Sequence, residues 1–241
     1  MMSGNWTVQQ AEYSEHGAFI LTFLLSESER VFGLDIMSNE DCIVYIDPSA
    51  ECPMFLRNTA PVRIRLVQKN FSYWSQTIYQ LSHEMCHYAF RQRKENKGFT
   101  LSWFEELVCG AVSLYALEYA SAHWGNCQLS QWSPDFSQDH KTYLAHELAT
   151  PFTDEFKQCT TVEKLMVYEK QRVAENLRES QRSERNLIYR KISNNPLELK
   201  CVLNYTRYVM DNGVVIDFDR WIKDDPCRLL HELKSIQPVK I

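Results

Sequence analysis

Apolar and polar positions in the first third of the chain predict β-strands. The segment from Ala18 to Leu25 is almost continuously apolar and β-rich, and the one from Cys42 to Asp47 is a short apolar run ended by Pro48. From Val62 to Val67 apolar residues alternate with arginines, and this period of two indicates a strand with one buried and one exposed face. The charges on the exposed face favour a position at the edge of a sheet.

The hydrophobic period then becomes that of an α-helix. Between about Ser72 and Gln92 the apolar residues recur every three or four positions, as on one face of a helix: Trp74, Ile78, Leu81, Met85, Tyr88 and Ala89. A second helix is predicted from Ser102 to about His123. Ser102 followed by Glu105 has the spacing of a capping box.

The rest of the chain predicts mainly helices, over 140–148, 162–191, 197–210 and 218–235. The fold class is therefore α+β. We expect a small antiparallel or mixed sheet whose edge strand packs on the helix 72–92, then a second helix and a mainly helical C-terminal part. The predicted parts are residues 1–127 and 128–241.

Composition narrows the class of protein. The chain has 241 residues, of which 44% are hydrophobic and 24% charged, so a core of ordinary size can be buried. A net charge of −5 gives no electrostatic reason to expect nucleic acid as the partner. We see neither a secretory leader nor an apolar run long enough to span a bilayer, so we expect a cytoplasmic protein without a membrane partner. Delivery to a host cell without a leader is compatible with this pattern.

The candidate metal-binding and catalytic residues lie inside the first predicted helix, in the segment His83-Glu84-Met85-Cys86-His87. Residues four apart on a helix are rotated by about 400° and rise by roughly 6 Å, so His83 and His87 share a face and can both reach one Zn²⁺. Glu84 is placed to take a proton from a water that the metal activates. By chance such a motif occurs in about one of a hundred chains of this histidine content.

A catalytic zinc site of this type needs a third protein ligand. Glu106 lies nineteen positions after His87, in the first turns of the second predicted helix. Glu105 is the alternative. Adjacent helix residues point about 100° apart, so the two carboxylates cannot both face one metal ion.

The arrangement His83-Glu84-x-x-His87, eighteen residues, then Glu106 resembles the gluzincin zinc metallopeptidases, which include thermolysin-like enzymes and a group of aminopeptidases. Trp103-Phe104-Glu105-Glu106 is similar to their Trp-x-Asn-Glu stretch, with Glu105 in place of the asparagine. The resemblance covers about residues 40–125. It implies that His83, His87 and Glu106 bind zinc and that Glu84 is the catalytic base.

The same resemblance implies a substrate strand and a reaction. In gluzincins an edge strand before the active-site helix binds the peptide substrate as an added strand, and 62–67 is the matching segment. The chain lacks the Gly-x-Met-Glu-Asn motif of the aminopeptidases, so we expect a selective endopeptidase acting on protein substrates. A tyrosine or histidine commonly stabilises the oxyanion; the sequence singles out none of Tyr143, His140, His146, Tyr168, Tyr205 and Tyr208.

Two further interpretations stay open at this stage. The chain could be a zinc-binding regulatory or interaction protein on the same scaffold, although a purely structural metal site has no need of Glu84. Cys86 could act as a redox or inhibitory switch, and so could Cys109, but a small buried residue is the more ordinary interpretation of each. The sequence does not indicate an oligomeric state.

Overall fold

A computed structural model describes residues 5–94, 99–151, 153–175 and 179–240. It is an α+β protein with a four-stranded mixed sheet, and its C-terminal part is helical. Contacts divide the chain into a first unit, Met1–Gln92 with Val112–Ala149, and a second unit, Arg93–Ala111 with Thr150–Ile241. The predicted division into 1–127 and 128–241 stays a prediction.

The sheet belongs to the first unit. Its strands are β1 (Trp6–Val8), β2 (Cys42–Ile46), β3 (Met54–Leu56) and β4 (Val62–Leu66), in the spatial order β1-β2-β4-β3. The pairs β1–β2 and β2–β4 are parallel, whereas β3 is antiparallel to β4. The predicted strands at 42–47 and 62–67 are therefore confirmed.

The prediction that 62–67 is an edge strand is wrong, because β4 pairs with β2 on one side and with β3 on the other. The prediction that this strand has one buried and one more exposed face is confirmed, because Val62, Ile64 and Leu66 are buried. The Arg65 guanidinium donates a hydrogen bond to the Cys52 carbonyl at 3.2 Å. Side-chain alternation reports on the faces of a sheet and carries no information about which strand is outermost.

The prediction of a strand from Ala18 to Leu25 is also wrong, because these residues lie in helix α1 (Ser14–Phe32). A continuous apolar run does not distinguish a buried strand from a buried helix. The buried positions on α1 follow the helical period: Gly17, Ile20, Leu21, Phe23, Leu24, Glu27, Val31 and Phe32.

Four more α-helices lie before residue 150: α2 (Leu34–Met37), α3 (Trp74–Arg93), α4 (Ser102–His123) and α5 (Ser137–Ala149). The helices predicted at 72–92, 102–123 and 140–148 are thus confirmed. The boundary between the two units falls inside α4, so its first ten residues belong to the second unit. Within the described residues, no helix combines the length and the apolar composition that a membrane span requires.

The second unit is helical, but its helices are shorter than predicted: α6 (Val162–Glu175), α7 (Arg182–Asn194), α8 (Leu199–Val202), α9 (Phe218–Asp224) and α10 (Arg228–Ile236). The single helix predicted over 162–191 is two helices, and a 3₁₀ turn at Glu179–Gln181 precedes the second. Pro226 separates α9 from α10 because proline cannot continue a helix that has begun before it. The prediction of one helix over 218–235 is therefore wrong. The helix predicted over 197–210 is also wrong, because this segment holds the short helix α8, 3₁₀ turns and Val209, which forms a β-bridge with Ile216.

Candidate functional site

Helix α3 carries the predicted metal and base residues on the core of the first unit. The side chains of His83 and Glu84 are 5% and 2% exposed, and His87 is half-buried. The two imidazole rings have centroids 5.0 Å apart and meet edge to face. The structure thus brings His83 and His87 together as the four-residue spacing predicts, with His87 closer to solvent.

Two amide side chains attach α3 to the end of β4. The Gln80 carbonyl oxygen accepts a hydrogen bond from the Val67 backbone N–H at 2.9 Å. The Gln80 and Gln76 amide groups both donate to the Val67 carbonyl, at 3.0 and 3.2 Å. Gln80 therefore satisfies both main-chain groups of Val67, and it lies one turn before Glu84. These bonds fix the rotation of the motif helix against the sheet.

Tyr88 anchors the other end of α3. Its hydroxyl accepts a hydrogen bond from the Glu40 backbone N–H at 3.0 Å, and its ring meets Trp6 of β1 and Phe55 of β3 edge to face, with centroids 4.8 and 5.8 Å apart. Burial raises the pKa of the Tyr88 phenol to about 12, so it stays protonated. Arg91, one turn beyond His87, pairs with Glu40 at 2.8 Å.

Two tyrosines pack on one another within the first unit. Tyr79 is four residues before His83 and so shares its face of α3. Its ring centroid is 5.8 Å from that of Tyr143 on α5. Burial, and then the nearby Glu147 carboxylate, raise the pKa of Tyr143 well above its ordinary value, so this phenol is a hydrogen-bond donor at neutral pH. Tyr79 was not among the residues predicted from the sequence, although its spacing of four residues from His83 places it on the same helix face.

Three of the other candidates for the oxyanion donor form hydrogen bonds with side chains in the core. His140 is completely buried, and its Nδ1 lies 2.9 Å from the Ser75 hydroxyl. Tyr168 shares a 2.6 Å hydrogen bond with Ser180. Tyr205 is also completely buried and donates a hydrogen bond to Glu105. Each of these three side chains therefore has a hydrogen-bond partner in the core.

Glu106 lies on α4 in the second unit, where it is half-buried. Its neighbour Glu105 is almost completely buried and forms an ion pair with Lys94. The Tyr205 hydroxyl, which donates to Glu105, accepts from the Leu101 backbone N–H at 3.1 Å. Glu105 is thus committed to a buried ion pair, and helix geometry turns Glu106 about 100° away from it.

The start of α4 is held by residues from the helical part of the same unit. The Glu169 carboxylate of α6 accepts hydrogen bonds from the backbone N–H groups of Ser102 at 2.5 Å and Trp103 at 2.9 Å. Gln181 donates to the Trp103 carbonyl at 2.9 Å. The cap therefore comes from α6, and the predicted capping box of Ser102 and Glu105 is wrong.

Gly110, one turn after Glu106, faces α7. A Cβ atom at this position would lie 3.0 Å from Arg185 Cδ and 3.3 Å from its Cγ, so glycine permits the close approach of this side chain. Cys109 and Cys86 are both completely buried, as small core residues are. The assignment of Glu106 as the third ligand stays a prediction.

Comparison with known proteins adds no relative to this picture. No family model matches the chain, and neither a curated protein nor a solved structure matches it.

Proposed function

We propose that this protein is a zinc-dependent peptidase in which His83, His87 and Glu106 hold the metal and Glu84 is the general base. The observation that carries the proposal is the pair of imidazoles on one face of α3, with ring centroids 5.0 Å apart. Imidazoles at this spacing suit one tetrahedral zinc ion. Glu84 between them favours hydrolysis, because a metal site that only stabilises a fold needs no base.

Zinc, when bound, would lower the pKa of a water and polarise the substrate carbonyl. Glu84 accepts a proton from the attacking water and delivers it to the leaving amine as the C–N bond breaks. The Tyr143 phenol, kept protonated by burial, can donate to the oxygen on which negative charge develops. His87 is the more exposed histidine and marks the side from which a substrate approaches.

The substrate we propose is an extended segment of a peptide or protein. β3 is the outer strand of the sheet beyond β4, and Phe55 of β3 packs on Tyr88 of the motif helix. A strand at the edge of a sheet offers main-chain groups to an added peptide. This moves the substrate strand from the position that the sequence indicated to β3.

The third ligand rests on sequence spacing and on the chemistry of α4. Glu105 is engaged by Lys94, and Glu106 stands at the ligand position that the resemblance to gluzincins implies. Cys109 lies three residues later on the same face of α4 and is a second candidate donor on this helix. Zinc accepts either a carboxylate or a thiolate with two imidazoles.

The test compares wild-type protein with Glu84→Gln, and with Glu51→Gln as an exposed control. Bound zinc is measured by elemental analysis and cleavage with a proteome-derived peptide library. We expect zinc in all three proteins and cleavage in all but Glu84→Gln. Zinc without Glu84-dependent cleavage would refute the peptidase and favour a regulatory zinc protein. Absence of zinc after supplementation would refute the metal site itself.

The expected cytoplasmic location stays a prediction.

A further inference from the structure

A cleft of about 650 Å³ opens at the surface of the first unit, between α1, the last turns of α4 and the 3₁₀ turns that follow. Its size is within the range of small-molecule sites, roughly 300–1,000 Å³. None of the residues that we assign to the peptidase is among the described residues that line it. The cleft is therefore a second candidate binding site, and its lining indicates which ligand it suits.

Part of the cleft lining is aromatic. The rings of Phe23 and Tyr119 have centroids 5.3 Å apart, and Tyr119 stacks on the His123 imidazole at 4.4 Å with 23° between the planes. Phe23 is buried, whereas Tyr119 is half-buried. Burial raises the pKa of the Tyr119 phenol, which is therefore uncharged at neutral pH. Phe23 and Tyr119 thus offer the cleft apolar surface without a charge.

The polar part of the lining consists of short, uncharged side chains. Thr22 and Ser26 lie one turn apart on α1, and Asn126 and Gln128 belong to two 3₁₀ turns after α4. All four are exposed. The Thr22 hydroxyl donates to the Ala18 carbonyl at 2.9 Å, and its oxygen can accept from a ligand. Each amide presents donors and an acceptor, so the cleft suits a ligand that has both.

A row of aromatic rings extends from the cleft. Trp132 is 58% exposed, and its ring centroid is 5.8 Å from that of Phe19, which lines the cleft. Trp132 also lies 5.8 Å from the His16 ring, and His16 lies 5.1 Å from the ring of Tyr13, which is 48% exposed. Phe19, Trp132, His16 and Tyr13 form what we call the aromatic row. Neighbouring exposed rings are typical of an interaction surface.

The imidazole of the aromatic row is uncharged at neutral pH. His16 Nδ1 accepts a hydrogen bond from Trp74 Nε1 at 3.2 Å. Burial lowers the pKa of His16, although the neighbouring Glu15 carboxylate opposes this. Single-stranded nucleic acid also stacks on aromatic rings, but its phosphates need cationic side chains. Neither the described lining of the cleft nor the aromatic row contains a lysine or arginine, so this ligand does not fit.

We propose that the cleft and the aromatic row bind a neutral oligosaccharide. The C–H face of a sugar ring packs on the negatively polarised face of an aromatic ring, and Trp132 and Phe19 present such rings in succession. Sugar hydroxyls both donate and accept hydrogen bonds, which matches the amides of Asn126 and Gln128. Because the aromatic row continues beyond the cleft, it favours a chain of sugars over a single one.

A proline-rich peptide is the competing ligand, because it also packs on aromatic rings. Proline has no backbone N–H, so such a peptide offers mainly carbonyl acceptors. The acceptor oxygens of Thr22 and Asn126 would then receive no donor from the ligand. An oligosaccharide satisfies both kinds of group.

The test titrates the full chain with maltohexaose, cellohexaose and chitohexaose by isothermal calorimetry, with decaproline and an oligothymidylate as comparison ligands. We expect at least one saccharide to bind with a Kd below about 1 mM, and neither comparison ligand to bind as tightly. Absence of binding by all three saccharides, or tighter binding of either comparison ligand, would overturn the proposal. The measurement depends neither on zinc nor on cleavage.

Variants locate the site. Trp132→Ala removes one stacking ring and should weaken saccharide binding about tenfold. Gln128→Leu keeps the volume but removes the amide, and it should weaken binding about three- to tenfold. Leu187→Ala changes an exposed residue of α7 in the second unit and should bind like the wild type.

Two results would contradict this location. Unchanged affinity in Trp132→Ala would place the saccharide elsewhere, and unchanged affinity in Gln128→Leu would contradict binding inside the cleft. Either result overturns the proposal. Circular dichroism establishes that each variant is folded.

Discussion

Glu105 and Lys94 form an ion pair in the interior of the second unit, where their side chains are only 3% and 2% exposed. Charges removed from water are stable only when each is compensated, because their desolvation costs several kcal/mol per ion. Tyr205 adds a hydrogen bond to the same carboxylate. The residue before the proposed ligand Glu106 is thus part of the framework that orients α4.

Substitution of Glu105 by glutamine should destabilise the protein strongly. The charge of Lys94 would stay buried without the Glu105 carboxylate, for which we expect a loss of about 3–5 kcal/mol in the free energy of unfolding. Tyr205→Phe removes two buried hydrogen bonds, the one donated to Glu105 and the one accepted from the Leu101 N–H, and should cost about 1–3 kcal/mol. Urea denaturation measures both.

An exposed ion pair of the same unit provides the control. Lys234 and Asp219 lie 2.5 Å apart, with side chains 44% and 70% exposed. Asp219→Asn should change the free energy of unfolding by less than about 1 kcal/mol, because solvent screens such pairs. Equal losses for Glu105→Gln and Asp219→Asn would contradict the structural role of the buried pair.

Removal of the Glu169 carboxylate should loosen the start of α4. Glu169→Ala leaves the N–H groups of Ser102 and Trp103 without their acceptor, and the loss of such a cap costs about 1–2 kcal/mol. Lys170→Ala changes an exposed residue on the same helix α6 and should have little effect. Thermal unfolding followed by circular dichroism distinguishes the two. A smaller effect for Glu169→Ala than for Lys170→Ala would rule out this cap.

Acid should destabilise the first unit through His140. Burial lowers the pKa of this imidazole from 6.5 to about 4, since it lies among Trp124, Phe136 and Ser75. The neutral ring is compatible with the fold, so its contribution is complete above pH 6.5 and is lost as the pH falls towards 4. The difference in pKa corresponds to about 3 kcal/mol.

The measurement is the free energy of unfolding in urea between pH 4 and pH 8. His140→Leu removes the titrating group and should show a flatter dependence than the wild type over this window. Ser75→Ala leaves the imidazole in place and should keep the wild-type slope. Parallel curves for wild type and His140→Leu would show that His140 is not responsible.

The third zinc ligand can be identified by substitution on α4. If Glu106 binds the metal, Glu106→Gln should lower zinc affinity by more than about 100-fold, whereas Cys109→Ser should leave it unchanged. His83→Ala and His87→Ala should abolish stoichiometric binding, and His231→Ala, an exposed histidine on α10, should not. Competition with a chromogenic chelator gives the affinities. The reverse result for Glu106 and Cys109 would assign the thiolate.

Gly17 permits the contact between α1 and Phe71. A Cβ atom at residue 17 would lie 2.6 Å from Phe71 Cδ1, closer than atoms can approach, so Gly17→Ala should cost about 1–3 kcal/mol despite the better helix propensity of alanine. A Cβ at Gly125 would meet no atom within 4 Å. Gly125→Ala should therefore be neutral, and chemical denaturation compares the pair. An equally neutral Gly17→Ala would mean that Phe71 moves aside freely.

The spacing of apolar residues predicted α3, α4 and β4, and a short apolar run ended by Pro48 predicted β2. In β4 the alternation matches one buried face, whereas α4 is buried on all sides over residues 107–117. Apolar spacing failed for α1, where leucines and phenylalanines on the buried and half-buried sides merge into one apolar run. The break after α9 coincides with Pro226, which cannot continue a helix. The order of the strands could not be predicted from the sequence, because β3 is only three residues long and its pairing with β4 is a tertiary contact.

The candidate site was also predictable from the sequence only in part. The pairing of His83 with His87 follows from helix geometry and was predictable from spacing alone. Lys94 and Tyr205 could not be connected to Glu105 from the sequence, since Tyr205 is separated from it by a hundred positions. Gln80 was equally unrecognisable as the residue that satisfies the main chain of Val67.

The short length of β3 limits how a substrate could be recognised at the sheet edge. Three residues extend about 10 Å, so an added strand would gain only a few main-chain hydrogen bonds there. Such main-chain hydrogen bonds do not depend on side-chain identity. Because the pairing would be only three residues long, it would contribute little to the affinity for a short peptide. Discrimination among substrates would then come from surfaces of the folded target beyond the cleaved segment, and intact proteins would be cut faster than peptides excised from them.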